Sequence, residues 1–268
     1  MRVTSSPYFI CIAVLIGFGQ ITLAANGTAM VVVGPADFAS VLPPSDTEKI
    51  AHIEKFELDV IPVSNAKFLA FVKRYPEWRR DNVSKLFADE NYLSLWSGAE
   101  SLGEQAKANQ PVVRVSWFAA NAYCEERNAR LPRWYEWELA AAASTKNADA
   151  RKDPEWRQQM LNWYSRSSSS QLLPNVGSTN ANYYGVKDLH GVIWEWVEDF
   201  NAMLVGTDNR EQGGADKLQF CGAGALSMEQ KENYAVLMRI AMLSSLEARY
   251  TTGNLGFRCA RDVQEPSK

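Results

Sequence analysis

The feature that most constrains this chain is the weak hydrophobic periodicity of its C-terminal third. Three runs there, NYYGVKDLHGVIWEWVEDF, FCGAGAL and TTGNLGFRCARD, are dense in glycine and aromatic residues. They follow neither the period of a helix nor the alternation of a strand. Such a sequence suits a turn-rich domain in which strands are joined by long loops. The chain has 268 residues, enough for one large domain or two small ones and for a real core. Hydrophobic residues make up 46% and charged residues 22%, the balance of a soluble globular protein. No internal repeat is evident.

Charge and residue counts remove several function classes. The formal net charge of −3 gives no basic surface for phosphate backbones, so no nucleic-acid partner is expected. Only two histidines occur, His52 and His190, so a three-histidine metal site cannot form. Four cysteines are too few for a disulfide-dense miniprotein.

Residues 1–24 read as a secretory signal. Arg2 supplies the positive start, Tyr8 to Phe18 form an uncharged apolar run, and Thr22-Leu23-Ala24 places cleavage after Ala24. The run is too short to span a bilayer comfortably, so no stable membrane anchor is expected after cleavage. This reading makes the protein exported, and periplasmic if bacterial. Three cysteines then remain: Cys124, Cys221 and Cys259. In an oxidising compartment two should pair and one is left over.

Local signals outline the elements. Met30 to Val33 reads as a strand closed by the Gly34-Pro35 turn, and Ile53 to Val60 alternates as a half-buried strand. Ser64 or Asn65 can cap a helix that puts Phe68, Leu69, Phe71 and Val72 on one stripe. Residues 76–110 are polar and irregular and suggest a surface excursion. Pro111 to Val115 reads as extended, and Ser116 can cap a helix reaching about Asn128. Pro132 is placed to open a second helix at its first position. Within a segment 145–173 that looks inserted, Asp153 and Pro154 start an amphipathic helix, and Ser167–Ser170 form a linker.

Several residues could carry chemistry. His190 is a candidate base or metal ligand, against the plainer reading of a turn histidine bonded to backbone. Asp188, Glu195, Glu198 and Asp199 could hold a hard cation such as calcium, or could cap turns and pair with Arg239, Arg258 or Arg261. Cys221, beside small glycines, is either a reactive thiol or a buried apolar residue. Gly222-Ala223-Gly224 completes no nucleotide-binding motif. Most of the nine tryptophans read as core.

Three ordered segments carry a family resemblance: PVVRVSWFAANAYCEERNARLPRWYEWELAAAA (111–143), NYYGVKDLHGVIWEWVEDF (182–200) and RIAMLSSLEARYTTGNLGFRCARD (239–262). Together with MVVVGPADF and ELDVIPVSNAKFLAFV near the start, they resemble the formylglycine-generating enzyme family, the sulfatase-modifying-factor domain. The resemblance spans about residues 29–262. It implies a single α+β domain over 25–262, of the variant C-type-lectin kind, with little regular secondary structure and a short tail at 263–268. It also implies a disulfide between Cys124 and Cys259.

The resemblance does not carry the family's oxidase chemistry across. The family's oxidases bind copper with a cysteine pair five residues apart and convert a substrate cysteine to formylglycine. The matching positions here are Gln230 and Ala235. The family's substrate-clamping arginine falls on Leu243, whereas Arg239 and Asn254 match. Gly191-Val192 stands where the family has Gly-Asn, so an asparagine ligand of its calcium site is missing while Glu195 remains. No cofactor is therefore firmly implied, and calcium and copper are the metals left open. Two exported branches of the family are similar, those of PvdO and of NirV, the companion of copper nitrite reductases.

Three readings follow. The first is an accessory or maturation factor that holds an exported protein or a small molecule in the family's groove, with copper enzymes the leading partners. The second is an exported oxidoreductase with altered chemistry there, using Cys221, Tyr234 and Glu195 with Trp194, Arg239 and Asn254 as walls and anchors. The third is a true formylglycine-generating oxidase for sulfatase maturation.

Overall fold

The computed structural model describes residues 29–45, 47–164, 172–201 and 234–263. Cys221, Gln230, the signal segment and the serine linker lie outside these residues, as do the side chains of Tyr234 and Ala235. Helices and short strands share one core. The strands are β1 (Met30–Val33), β2 (Ala36–Phe38), β3 (Ala51–Ile53), β4 (Phe56–Asp59), β5 (Trp194–Glu195), β6 (Leu255–Gly256) and β7 (Ala260–Asp262). The helices are α1 (Asn65–Arg74), α2 (Trp117–Glu126), α3 (Trp134–Ala141), α4 (Pro154–Tyr164) and α5 (Tyr234–Ser244).

The main sheet has the order β1-β4-β7 and is antiparallel throughout. Met30 faces Asp59, and Leu58 faces Ala260, so the first and last strands flank β4. β2 pairs with β3, and β5 pairs with β6 in parallel. The stretch expected as one strand over Ile53 to Val60 is two. Glu54 and Lys55 are exposed and divide β3, which pairs with β2, from β4, which pairs with β1.

Side-chain caps set three helix starts. Ser64 Oγ accepts from Lys67 N, Ser116 Oγ accepts from Ala119 N at 3.2 Å, and Asp153 Oδ1 accepts from Glu155 N at 2.9 Å. Each fills a backbone donor that the first turn would leave empty. α3 begins later than Pro132. The Glu136 carboxylate accepts from Arg133 N at 2.8 Å, and Asp199 accepts from Trp134 N at 2.8 Å, so the cap falls at Arg133.

Two further expectations need correction. Residues 76–110 are irregular but not merely superficial, because Tyr92, Leu93 and Trp96 are buried in the core. Trp96 Nε1 donates to Asn65 Oδ1 at 3.0 Å, and the Asn65 amide donates to Lys107 O at 3.1 Å, tying the segment to α1. The second correction is α5, in a third expected to be rich in turns, with strands joined by long loops. Val236, Ile240 and Leu243 are buried at a spacing that one helical face provides, on a run rich in helix-forming Ala, Leu, Met and Arg.

Cys124 on α2 and Cys259 before β7 form a disulfide across 135 residues of sequence. Beside it, the buried Asp59 carboxylate accepts from Arg127 Nη1 and Nη2 at 2.7 and 2.8 Å and from Cys259 N at 3.0 Å. Closing so long a loop restricts the unfolded chain strongly. Replacing both cysteines with alanine is expected to cost about 2–5 kcal/mol in urea denaturation of the oxidised protein. A loss below about 1 kcal/mol would mean that the Asp59 contacts hold the segments without the bond.

Candidate functional site

Sequence and fold meet at the β5–β6 pair. Gly256 makes this pair possible: a Cβ there would stand 2.3 Å from Val112 O and 2.8 Å from Ile193 Cδ1. The extended Pro111–Val115 segment can therefore lie directly against β6. Trp194 N donates to Asn254 O at 2.8 Å, and Trp196 N donates to Gly256 O at 2.9 Å.

At the back of this pair Glu195 is sealed from solvent, with 0% exposure. Its Oε2 accepts from Trp137 Nε1 and Arg258 Nε, each at 2.9 Å, and its Oε1 accepts from Arg258 Nη2 at 2.8 Å. Arg258 is equally sealed and also donates to Asp59 O and Lys187 O, each at 2.9 Å. Glu195 is thus committed to a forked ion pair rather than presented to a groove.

Arg239, on the inner face of α5, reaches the same place from the other side. It is 1% exposed, and its guanidinium carbon lies 3.5 Å from the Trp137 ring centroid. One Nη donates to Glu195 O, and Nε has no partner among the described residues. Burial lowers its pKa to about 10, with nearby Glu195 and Tyr164 opposing that shift. Of the arginines expected to pair with the nearby acids, Arg258 takes Glu195, while Arg239 meets no carboxylate among the described residues.

Trp194 is half-buried and forms an aromatic wall with two residues of α4. Trp163 lies 5.8 Å and Tyr164 5.2 Å from it between ring centroids. The helix of the 145–173 segment therefore ends against Trp194, a placement that its amphipathic pattern alone did not reveal.

His190 completes the surroundings. Its Nε2 donates to Ala141 O at 2.8 Å, while Trp137, Trp156 and Trp163 meet its ring edge-to-face. Burial depresses its pKa to about 4; Ala141 and Glu195 oppose that shift, and Arg239 and Arg258 add to it. Ala141 fixes the tautomer, and His190 is a turn histidine held to backbone.

The four acids of the suggested calcium cluster go separate ways. Asp188 Oδ1 accepts from Thr179 N at 3.0 Å, Asp199 caps Trp134, Glu198 pairs with Arg133 at 3.3 Å, and Glu195 holds Arg258. Val192 packs with Val113 and Ile193 in a small apolar cluster. These residues do not fit a calcium ion at the family's position, since Glu195 has no free oxygen and Val192 no donor atom. Arg114, within the first family segment, has a left-handed backbone that its residue type does not disclose.

This arrangement defines the class: an α+β domain with modest regular structure, closed by a disulfide and a buried Glu–Arg pair. A model of the "sulfatase-modifying factor enzyme 1-like domain" matches residues 17–263, and the chain belongs to that family. The inactive C-alpha-formylglycine-generating enzyme 2 of Mus musculus is 28% identical over 250 residues, covering 81% of this chain and 78% of that protein. The formylglycine-generating enzyme of Streptomyces coelicolor is 28% identical over 266 residues, covering 82% and 83% respectively. The structure of PvdO from Pseudomonas aeruginosa superposes with a TM-score of 0.51 at 16% identity, covering 91% of this chain and 98% of that one, and shares the fold.

Two measurements test the site's physics. Glu195→Gln leaves Arg258 buried without a counter-charge and is expected to cost about 3–5 kcal/mol in denaturant unfolding. For His190 the folded pKa of about 4 lies below the unfolded value near 6.5, so the unfolded chain binds the extra proton first. Its contribution to stability is complete above pH 6.5 and is lost as pH falls towards 4. Unfolding free energies at pH 7 and pH 4.5 should differ less in His190→Gln than in the parent.

Proposed function

We propose that this protein is an exported, non-oxidase member of its family, an accessory or maturation factor that holds a partner protein at the groove around Trp194, Asn254 and α5. The partner is an exported enzyme, with copper enzymes the first to examine. The carrying observation is the state of α5. It bears Ala235 where the family's oxidases have a thiol, and Leu243, fully buried in the core, where they have the substrate-clamping arginine. Without the thiols no soft Cu(I) site of that kind can form. Without the clamp, a cysteine peptide loses its anchor. The name of the mouse relative, an inactive enzyme, favours the same reading. Export itself rests on the signal-like run at residues 1–24.

The altered-oxidase reading depends on Cys221, and its test is Cys221→Ala: an unchanged phenotype removes the thiol from the chemistry. For the main reading, purified protein is incubated with a Cys-X-Pro-X-Arg peptide, copper and oxygen. No formylglycine product is expected by mass spectrometry, and measurable turnover would overturn the proposal. Affinity capture from the exported fraction, probed first for copper enzymes, is expected to recover a defined enzyme with the bait.

A further inference from the structure

Arg114 sits in the extended segment beside β6, yet its backbone is left-handed, with φ at 55°. For a residue with a Cβ this conformation costs about 1–2 kcal/mol, whereas glycine adopts it freely. The backbone bonds at this position do not require arginine. The amide donates to Thr252 O at 3.0 Å, and the carbonyl accepts from Leu93 N at 2.9 Å, as they would for any non-proline residue. Strain retained at one position points to a role for the side chain.

That side chain runs past the turn that leads into β6. Nη2 lies 3.7 Å from where a Cβ on Gly253 would stand, so the guanidinium lies in contact range of this turn. Arg114 is half-buried, its Nε is shut from solvent, and it has no hydrogen-bond or ion-pair acceptor among the described residues. The acid that anchors this turn, Asp89, is occupied by Thr251, with Oγ1 at 2.7 Å and N at 3.0 Å. Arg249 already pairs with Glu247 at 2.9 Å. One residue beyond Gly253 is Asn254, bonded to Trp194. On the inner side of Trp194 and Glu195 lies Arg239, a second guanidinium without a carboxylate. Glu195, the acid between them, is neutralised by Arg258.

We infer that Arg114 is the anion-reading residue of this groove and receives an aspartate or glutamate side chain from a segment of the partner protein. The inference rests on the reading of the groove as a docking surface, and it names the chemistry that surface selects. A half-buried guanidinium with open donors suits a carboxylate, which it can bind with two parallel hydrogen bonds.

The decisive variant is Arg114→Gly, because glycine relieves the left-handed backbone while removing the side chain. Its Tm is expected to equal or exceed that of the parent. The probes are two fluorescein-labelled peptides, one alternating glutamate with glycine and the other glutamine with glycine. Fluorescence anisotropy should show the parent preferring the glutamate peptide by about tenfold at low salt. The preference should vanish in Arg114→Gly and persist in part in Arg114→Lys, which keeps the charge without the fork. Equal binding of the two peptides by the parent, or an unchanged preference in Arg114→Gly, would overturn the inference. So would a clear fall in the Tm of Arg114→Gly, which would make the arginine structural. An enzyme captured equally by the parent and by Arg114→Gly would leave the docking function standing and remove only this inference.

Discussion

The pair formed by Glu195 and Arg258 is the contact on which most of this architecture depends. Both groups are sealed from water, and neither could remain charged there alone. Arg258 also binds the carbonyls of Asp59 and Lys187, so one guanidinium joins the end of β4, the loop before β5, and the segment between β6 and β7. The indole of Trp137 supplies the remaining donor and brings α3 to the same point. A domain with few long strands or helices has little ladder hydrogen bonding to define its shape. Directional polar contacts of this kind specify the geometry that regular structure supplies elsewhere.

The same pair takes Glu195 out of the set of available cation ligands. Glu195 looks like a ligand in the sequence because Asp188, Glu198 and Asp199 stand near it. In the structure both its oxygens accept hydrogen bonds from Trp137 and Arg258. Arg239, a polar anchor by the family resemblance, stacks on Trp137 with little exposure. What faces outward is Trp194, with Trp163 and Tyr164 beside it and Arg114 at the neighbouring turn. Aromatic area and positive charge thus lie side by side at this turn.

How much of this was legible in the sequence depended on whether the signal was local. Ser64, Ser116 and Asp153 declare helix starts because a cap acts within three residues of itself. The strand Met30–Val33 and its Gly34-Pro35 turn are equally local. Pro132 misled because the cap of α3 comes from Asp199, far away in sequence, together with Glu136. Residues 76–110 misled because their polarity averages over Tyr92 and Trp96, whose burial follows from partners on α1 and elsewhere. Helix α5 was hidden by its setting in a glycine-rich region. The backbone angle of Arg114 is set by the turn and strand it lies against, which no neighbouring residue announces.

The C-terminal strand carries a consequence for when the molecule can fold. Cys259 bonds to Cys124, Arg258 reaches Asp59 and Glu195, and β7 is one of the two strands that flank β4. Cys259 N and its acceptor Asp59 are 200 residues apart in sequence. Non-local closures of this kind form slowly and late. During synthesis, which proceeds from the N-terminus, nearly the whole chain must emerge before its central ion pair, its disulfide and its main sheet can exist. Until those last residues arrive the chain stays open.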